Sequence, residues 1–147
     1  MAIPEMNKQG WLPVGVYDCT LAEIKKRFGT FKVSDWRVKL FEKLEVFIKE
    51  ARDTGFVSAL IINGSFVSNK PVPGDIDLIV VLVKEHDLTG ELIPRDYDVV
   101  SKKRARPRFG FDILTSEEDS VEFANHLEFF TRIRGTEDRK GVLRVVI

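Results

Sequence analysis

Apolar residues in this chain fall into separate runs with different periods. In "TLAEIKKRF", Leu21, Ile24 and Phe28 recur at three- and four-residue steps, the mark of one apolar helix face. Thr20 and Glu23 have capping-box spacing, and Gly29 closes the run. "SDWRVKLFEKLEVFIKEARDTG" carries the same period for longer, through Trp36, Leu40, Leu44, Phe47, Ile48 and Ala51. Ser34 stands as its N-cap and Gly55 lies past its end. "FVSALIIN" and "DLIVVLVK" are short and apolar at successive positions, which predicts strands covered on both faces. "FGFDILT" predicts a third strand and "GVLRVVI" a terminal one. "SEEDSVEFANHLEFFTRIR" predicts an amphipathic helix with Glu117, Glu118 and Asp119 in its first turn, where the dipole favours acids.

The remaining stretches are less regular. Residues 1–18, with Pro4, Gly10, Pro13 and Gly15, predict an extended lead-in. Residues 85–108 mix turn residues, a short helix near 95–101 and a basic run. The order is α-α-β-β-(α)-β-α-β. Two strands in direct succession predict a mixed β-sheet with helices packed on it, an α/β (α+β) fold in one domain over residues 1–147.

Composition narrows the class. The chain has 147 residues, 44% of them hydrophobic and 31% charged, which suits one globular domain. Net charge is zero, so no global field favours nucleic acid or membrane. The single cysteine, Cys19, has no internal disulfide partner, and a reducing cytoplasm fits that count. The first ten residues carry no apolar leader, and the longest apolar run, Leu78 to Val83, is too short to span a bilayer. The expectation is a soluble, cytoplasmic protein.

The candidate chemistry lies in "NGSFVSNKPVPGDIDLIVVL". Alternate strand residues share a face, so Asp75 and Asp77 project together while Ile76 turns into apolar packing. Two carboxylates on one face repel unless a cation sits between them, and hard oxygen ligands suit Mg²⁺ or Mn²⁺. Two such ions about 3.5–4 Å apart can clamp the attacking and leaving oxygens of a phosphoryl transfer. Asp112 in "FGFDILT" offers a third acid if that strand lies beside "DIDLIVVL". Gly64 permits close approach of backbone to a ligand, and Ser65 offers a hydroxyl and an N–H to phosphate. Lys70 and Lys84 are further candidates for phosphate.

Gly64-Ser65, nine residues, then Asp75-Ile76-Asp77-Leu78 resembles the signature of the polymerase-beta-like nucleotidyltransferase superfamily, over residues 56–115. Asp112 resembles that superfamily's third carboxylate. The tail "FFTRIRGTEDRKGVLRVVI" is also similar to that of small bacterial nucleotidyltransferase-like proteins. The resemblance implies transfer of a nucleoside monophosphate from a nucleoside triphosphate, ATP being the expected donor, to a hydroxyl on a protein, RNA or small molecule. It implies Mg²⁺ or Mn²⁺ on Asp75, Asp77 and Asp112, with Gly64, Ser65 and Lys70 on the nucleotide. Many members of that superfamily add a helical domain, whereas only 35 residues follow Asp112 here. A helical protein partner, as in toxin–antitoxin pairs of this type, would complete such a core. The rival reading is a catalytically silent nucleotide- or partner-binding module of the same fold.

Other motifs read more plainly. "GSFVSNKP" fails the P-loop pattern, with Asn69 at the second glycine and Pro71 at the hydroxyl position. Lys102, Lys103, Arg104, Arg106 and Arg108 can hold a triphosphate tail or RNA, but a solvated loop offsetting nearby acids is the favoured expectation. His126 is expected to be structural and His86 to sit at a strand end. Trp36 and the phenylalanines of residues 123–130 are expected in the core. Arg132, Arg134, Arg139 and Lys140 are expected on a surface face.

Overall fold

The structure, a computed structural model, describes residues 3–30, 34–84, 94–133 and 135–147. His86 and Arg134 lie outside the described residues. The elements run β1 (Val16–Asp18), α1 (Leu21–Phe28), α2 (Trp36–Thr54), β2 (Val57–Asn63), β3 (Asp77–Leu82), α3 (Pro94–Val100), α4 (Lys102–Phe109), β4 (Asp112–Glu117), α5 (Val121–Thr131) and β5 (Val142–Val146). This is the mixed α+β architecture that the periodicities predict.

Local chemistry sets the helix ends. Thr20 and Glu23 form the reciprocal capping box: Glu23 N–H donates to Thr20 Oγ1 at 3.2 Å and Thr20 N–H to Glu23 Oε1 at 3.0 Å. Ahead of α2 the Ser34 hydroxyl accepts from Trp36 N–H at 3.3 Å, although Asp35 is the capping residue and makes no side-chain cap bond. Gly55 closes α2 in the left-handed region at φ 75°. The last helix starts later than its acids suggest. Glu117 ends β4, Asp119 turns the chain at φ 58°, and Ser120 caps α5 through its hydroxyl on Phe123 N–H at 3.1 Å.

Two elements differ from the sequence expectation. The lead-in contributes a strand, β1, which pairs in parallel with β5. The basic run is not a loop but helix α4, closed by Gly110 at φ 76°, so β4 begins at Asp112 and Phe109 belongs to the helix. Strand order is β1-β5-β2-β3-β4. The β2–β3 and β2–β5 pairs are antiparallel, and β1–β5 and β3–β4 are parallel.

The sheet buries both faces. On one, Leu60, Ile62, Leu78, Val80, Ile113, Leu143 and Val145 meet Ile24 and Phe28 of α1, Leu44, Phe47 and Ile48 of α2, and Val99, Ala105 and Phe109 of the helices before β4. On the other, Ala59, Ile61, Ile79, Val81 and Val142 meet Phe130, with Phe123 and Leu127, of α5. Burying each such aliphatic side chain contributes about 1.5–3 kcal/mol, so β2 and β3 are the rigid centre from which loops project. Among the described residues no helix is long and apolar enough to cross a membrane.

Candidate active site

Register brings the acids together. Asp77 is the first residue of β3 and pairs directly with Asp112, the first residue of the parallel strand β4. Asp75 lies just before the ladder, so a loop and not strand alternation aims it. One ligand oxygen from each of Asp75, Asp77 and Asp112 lies within 4.8 Å of the others, and all three residues are half-buried. Their mutual repulsion is visible at Asp77. Burial, then Asp75, then Asp112 push its carboxyl up from 3.8 to about 6, against the opposing pull of Lys140 and Arg106.

Gly64 and Ser65 shape this cluster from the end of β2. Gly64 has φ 94°, and a Cβ there would stand 3.0 Å from Asp75 O and Oδ1 and 3.1 Å from Asp77 N. Only glycine fits without strain. Ser65 N–H and Oγ–H both donate to Asp75 Oδ1 at 3.3 Å, while Ser65 Oγ accepts from Gly74 N–H at 2.8 Å. The serine expected on a phosphate is thus turned onto the aspartate, and it fixes where Asp75 points. The loop after it is held from α2. Arg37, fully buried, donates to Phe28 O at 3.2 Å, Phe66 O at 2.8 Å and Ser68 O at 2.7 Å, and twice to Lys70 O at 2.6 and 3.1 Å. Burial lowers its pKa. Beside it Trp36 Nε1–H donates to Pro73 O at 2.6 Å. Trp36 is 37% exposed, so it braces this loop instead of filling the core. Lys70 gives the wall its carbonyl, while its side chain is exposed.

Three residues join the site that sequence reasoning left out or placed elsewhere. Arg106 of α4 donates to Asp112 Oδ1 across the gap to β4. Its neighbours serve as the counter-charges expected of this run: Arg104 pairs with Asp98 at 3.0 Å, and Arg108 with Asp98 at 2.9 Å and Glu50 at 2.5 Å. Asn63, paired with Asp77 across β2–β3, is buried; its Nδ2 donates to Phe130 O at 3.0 Å and its Oδ1 has no partner among the described residues. Lys140, expected on the surface, is only 9% exposed. Its N–H donates to Thr131 O at 2.7 Å, and its Nζ lies 4.2 Å from the centre of the Trp11 ring.

The other candidates fall away from the cluster. Lys84 follows the opposite end of β3 and pairs with Asp119 at 3.3 Å; the length of the strand puts it roughly 20 Å from Asp77. Arg132 and Arg139 both meet Glu128, at 3.2 and 3.4 Å, on the surface as expected. His126 Nδ1 lies 3.2 Å from Ser116 Oγ, a structural contact. Phe130 is core, but Phe129 is 70% exposed. Burial pushes the Cys19 thiol up to about 12, so it is no nucleophile at neutral pH.

Residues 4–146 match the model of a family of unknown function, DUF6932, and the chain belongs to that family. No curated protein and no solved structure matches it.

Proposed function

We propose that this DUF6932 member is a metal-dependent nucleotidyltransferase. The observation that carries the reading is the pairing of Asp77 with Asp112, with Asp75 folded back onto them. Three hard carboxylate oxygens this close fit Mg²⁺ or Mn²⁺ better than softer metals. Beside Asp77 the buried Oδ1 of Asn63 has no partner among the described residues, an orphaned acceptor next to the cluster. Asp75, Asp77 and Asp112 would hold the metal, which when bound neutralises charge on the reacting phosphate and lowers the pKa of the acceptor hydroxyl.

The chain's own residues then have distinct tasks. Gly64 lets the loop close on Asp75 and Asp77, and Ser65 holds Asp75 in aim. Asp112 keeps Oδ2 free of described donors while Arg106 occupies Oδ1, so Oδ2 can accept the proton of an acceptor hydroxyl. In the reaction, the acceptor oxygen forms a bond to the α-phosphorus, the bond from that phosphorus to the β-phosphoryl oxygen breaks, and pyrophosphate leaves with the electron pair. The proton released goes to Asp112 and then to solvent. ATP remains the proposed donor, and the acceptor class is a hydroxyl on protein, RNA or a small molecule. A helical protein partner would supply acceptor recognition.

One observation favours the silent-module reading: Arg106 already neutralises the acid that should activate the acceptor. The two readings separate on pyrophosphate. Each nucleoside triphosphate is incubated with Mg²⁺ or Mn²⁺ and released pyrophosphate is measured, with Asp77→Ala and Asp112→Ala as controls. Release lost in both variants is expected. Metal-dependent nucleotide binding without release would leave the module, and neither binding nor release would end both.

A further inference from the structure

The sheet face that carries Asp112 and Asp77 continues beyond them. Asn63 stands opposite Asp77 in the ladder. Ile62 pairs with Leu143, so Val142 flanks Asn63 on the next strand. Lys140, two residues before Val142, falls on the same side by alternation. A row of residues thus crosses four strands at one sheet end, and a lysine closes it.

That lysine is buried, yet among the described residues its ammonium makes no ion pair and no side-chain hydrogen bond. Burial lowers its pKa, and the field of Asp77 and then Asp75 pulls the other way, favouring the charge. A simple counter-ion would touch its acids, as Arg106 touches Asp112. Lys140 stands beyond ion-pair distance from all three aspartates, with the Trp11 ring at 4.2 Å on one side. The ring contributes cation–π attraction, but it satisfies none of the three N–H donors. The stem is buried but the ammonium nitrogen still reaches solvent, so its three donors are open to an anionic oxygen.

The lead-in fixes Lys140 in this position. Trp11 bridges Ser68, Asn69 N–H donates to Gly10 O at 3.1 Å, and Gly141 N–H donates to Leu12 O at 2.9 Å. A Cβ on Gly141 would come within 2.2 Å of Pro13 O, so the backbone next to Lys140 is closely confined. Residues 10–12 therefore tie the loop after Gly64-Ser65 to the segment that carries the lysine.

We propose that Lys140, backed by Trp11, is the polyphosphate-binding cation of this site, the role that the sequence suggested for Lys70. The ammonium takes anionic phosphoryl oxygens of a nucleotide whose metal lies on the three aspartates. The proposal rests on the nucleotidyltransferase reading for where the nucleotide sits, but its test does not depend on turnover. Tryptophan emission of the full chain is followed during titration with tripolyphosphate and Mg²⁺, with ATP and Mg²⁺, and with Mg²⁺ alone. Either polyphosphate draws Lys140 from the ring, so an emission change is expected that Trp11→Phe abolishes. Lys140→Met weakens polyphosphate binding by about 10- to 100-fold, the worth of a charge-assisted hydrogen bond, whereas Lys140→Arg largely restores it. Affinity for Mg²⁺ alone does not fall in Lys140→Met, which a merely structural lysine would not predict.

Polyphosphate binding that is equal in Lys140→Met and wild type overturns the assignment and leaves the transferase reading intact. If Lys140→Met does not fold, the wild-type signal decides, because binding without a Trp11 response overturns it as well. Lys140-dependent binding with no pyrophosphate release upholds the cation site and sinks the transferase reading. A wild-type protein that binds no polyphosphate with Mg²⁺ ends both.

Discussion

Two arginines secure different parts of the aspartate cluster's surroundings, and they work in different media. Arg37 is fully buried under the loop between Gly64 and Asp75, where it donates to four backbone carbonyls and no acid. Arg106 stands on the outer side of α4 with its side chain 63% exposed and meets a carboxylate. The first cannot let go without orphaning carbonyls in a dry interior. The second can exchange its partner for water at little loss, since exposed ion pairs are screened and entropically costly. One part is therefore permanent and the other exchangeable. The same side chain serves structure in one place and access in the other, and burial decides which.

The sharpest test of that contrast is Arg37→Met. It leaves Phe66 O, Ser68 O and Lys70 O without their donors, and a loss of about 3–5 kcal/mol is expected in urea unfolding. Arg37→Lys should not rescue it, because one compact ammonium cannot span that fork. A loss below about 1 kcal/mol would mean that water replaces the guanidinium and that the loop is not pinned from within.

Next in size is Gly64→Ala. The left-handed backbone and the 3.0 Å approach to Asp75 both penalise a Cβ, and about 1–3 kcal/mol should be lost. Mn²⁺ affinity, read by calorimetry, should fall more than stability, because the Cβ displaces Asp75 itself. Equal stability and unchanged Mn²⁺ binding would show that the close approach is unimportant.

A smaller effect separates by pH. The folded-state pKa of Asp77 is raised to about 6 from 3.8, so the folded chain holds this proton more tightly than the unfolded one. Its stabilising contribution is complete below about pH 4 and is lost as pH rises through about 6. The difference in melting temperature between wild type and Asp77→Asn, in chelator, should therefore shift in favour of the variant between those limits. Adding Mn²⁺ at pH 7 should reverse the order, since the ion stabilises only the wild type. A difference that is flat with pH would remove the crowded-carboxylate picture.

Arg106→Gln should change least. No shift in the urea midpoint is expected for so exposed a side chain, but Mn²⁺ should bind more tightly once the guanidinium no longer competes for Asp112. Raised salt should narrow that gain. Weaker Mn²⁺ binding in the variant would make Arg106 a support of the site and erase the contrast with Arg37.

Sequence reasoning reached the parts of the site whose cues are local. The aspartates stand at the mouths of apolar runs, so their placement was legible, and Gly64 announced a close approach. Where the answer depends on which strands become neighbours, the chain was silent. Lys140 precedes an ordinary short strand, and only the pairing of β5 with β2 puts it on the aspartate face. Arg106 lay in a basic run whose period is too weak for a clear helix, because only Ala105 and Phe109 mark the buried side of α4. Arg37 looked like any charged residue near a helix start. Its burial comes from a loop more than thirty residues onward, a distance no local pattern spans. Val16–Asp18 is too short to declare itself before its partner is known.

The slot occupied by β5 has a consequence for how the molecule is made. The last described strand in the chain is seated between the first two, so β1 has nothing to pair with until β5 has been made. Distant pairings of this sort assemble slowly and leave apolar edges bare in the meantime. A nascent chain can bring its acids together early, yet it gains Lys140 beside them only when β5 threads home. The aspartate face is therefore completed in one late step of assembly, when β5 enters the sheet.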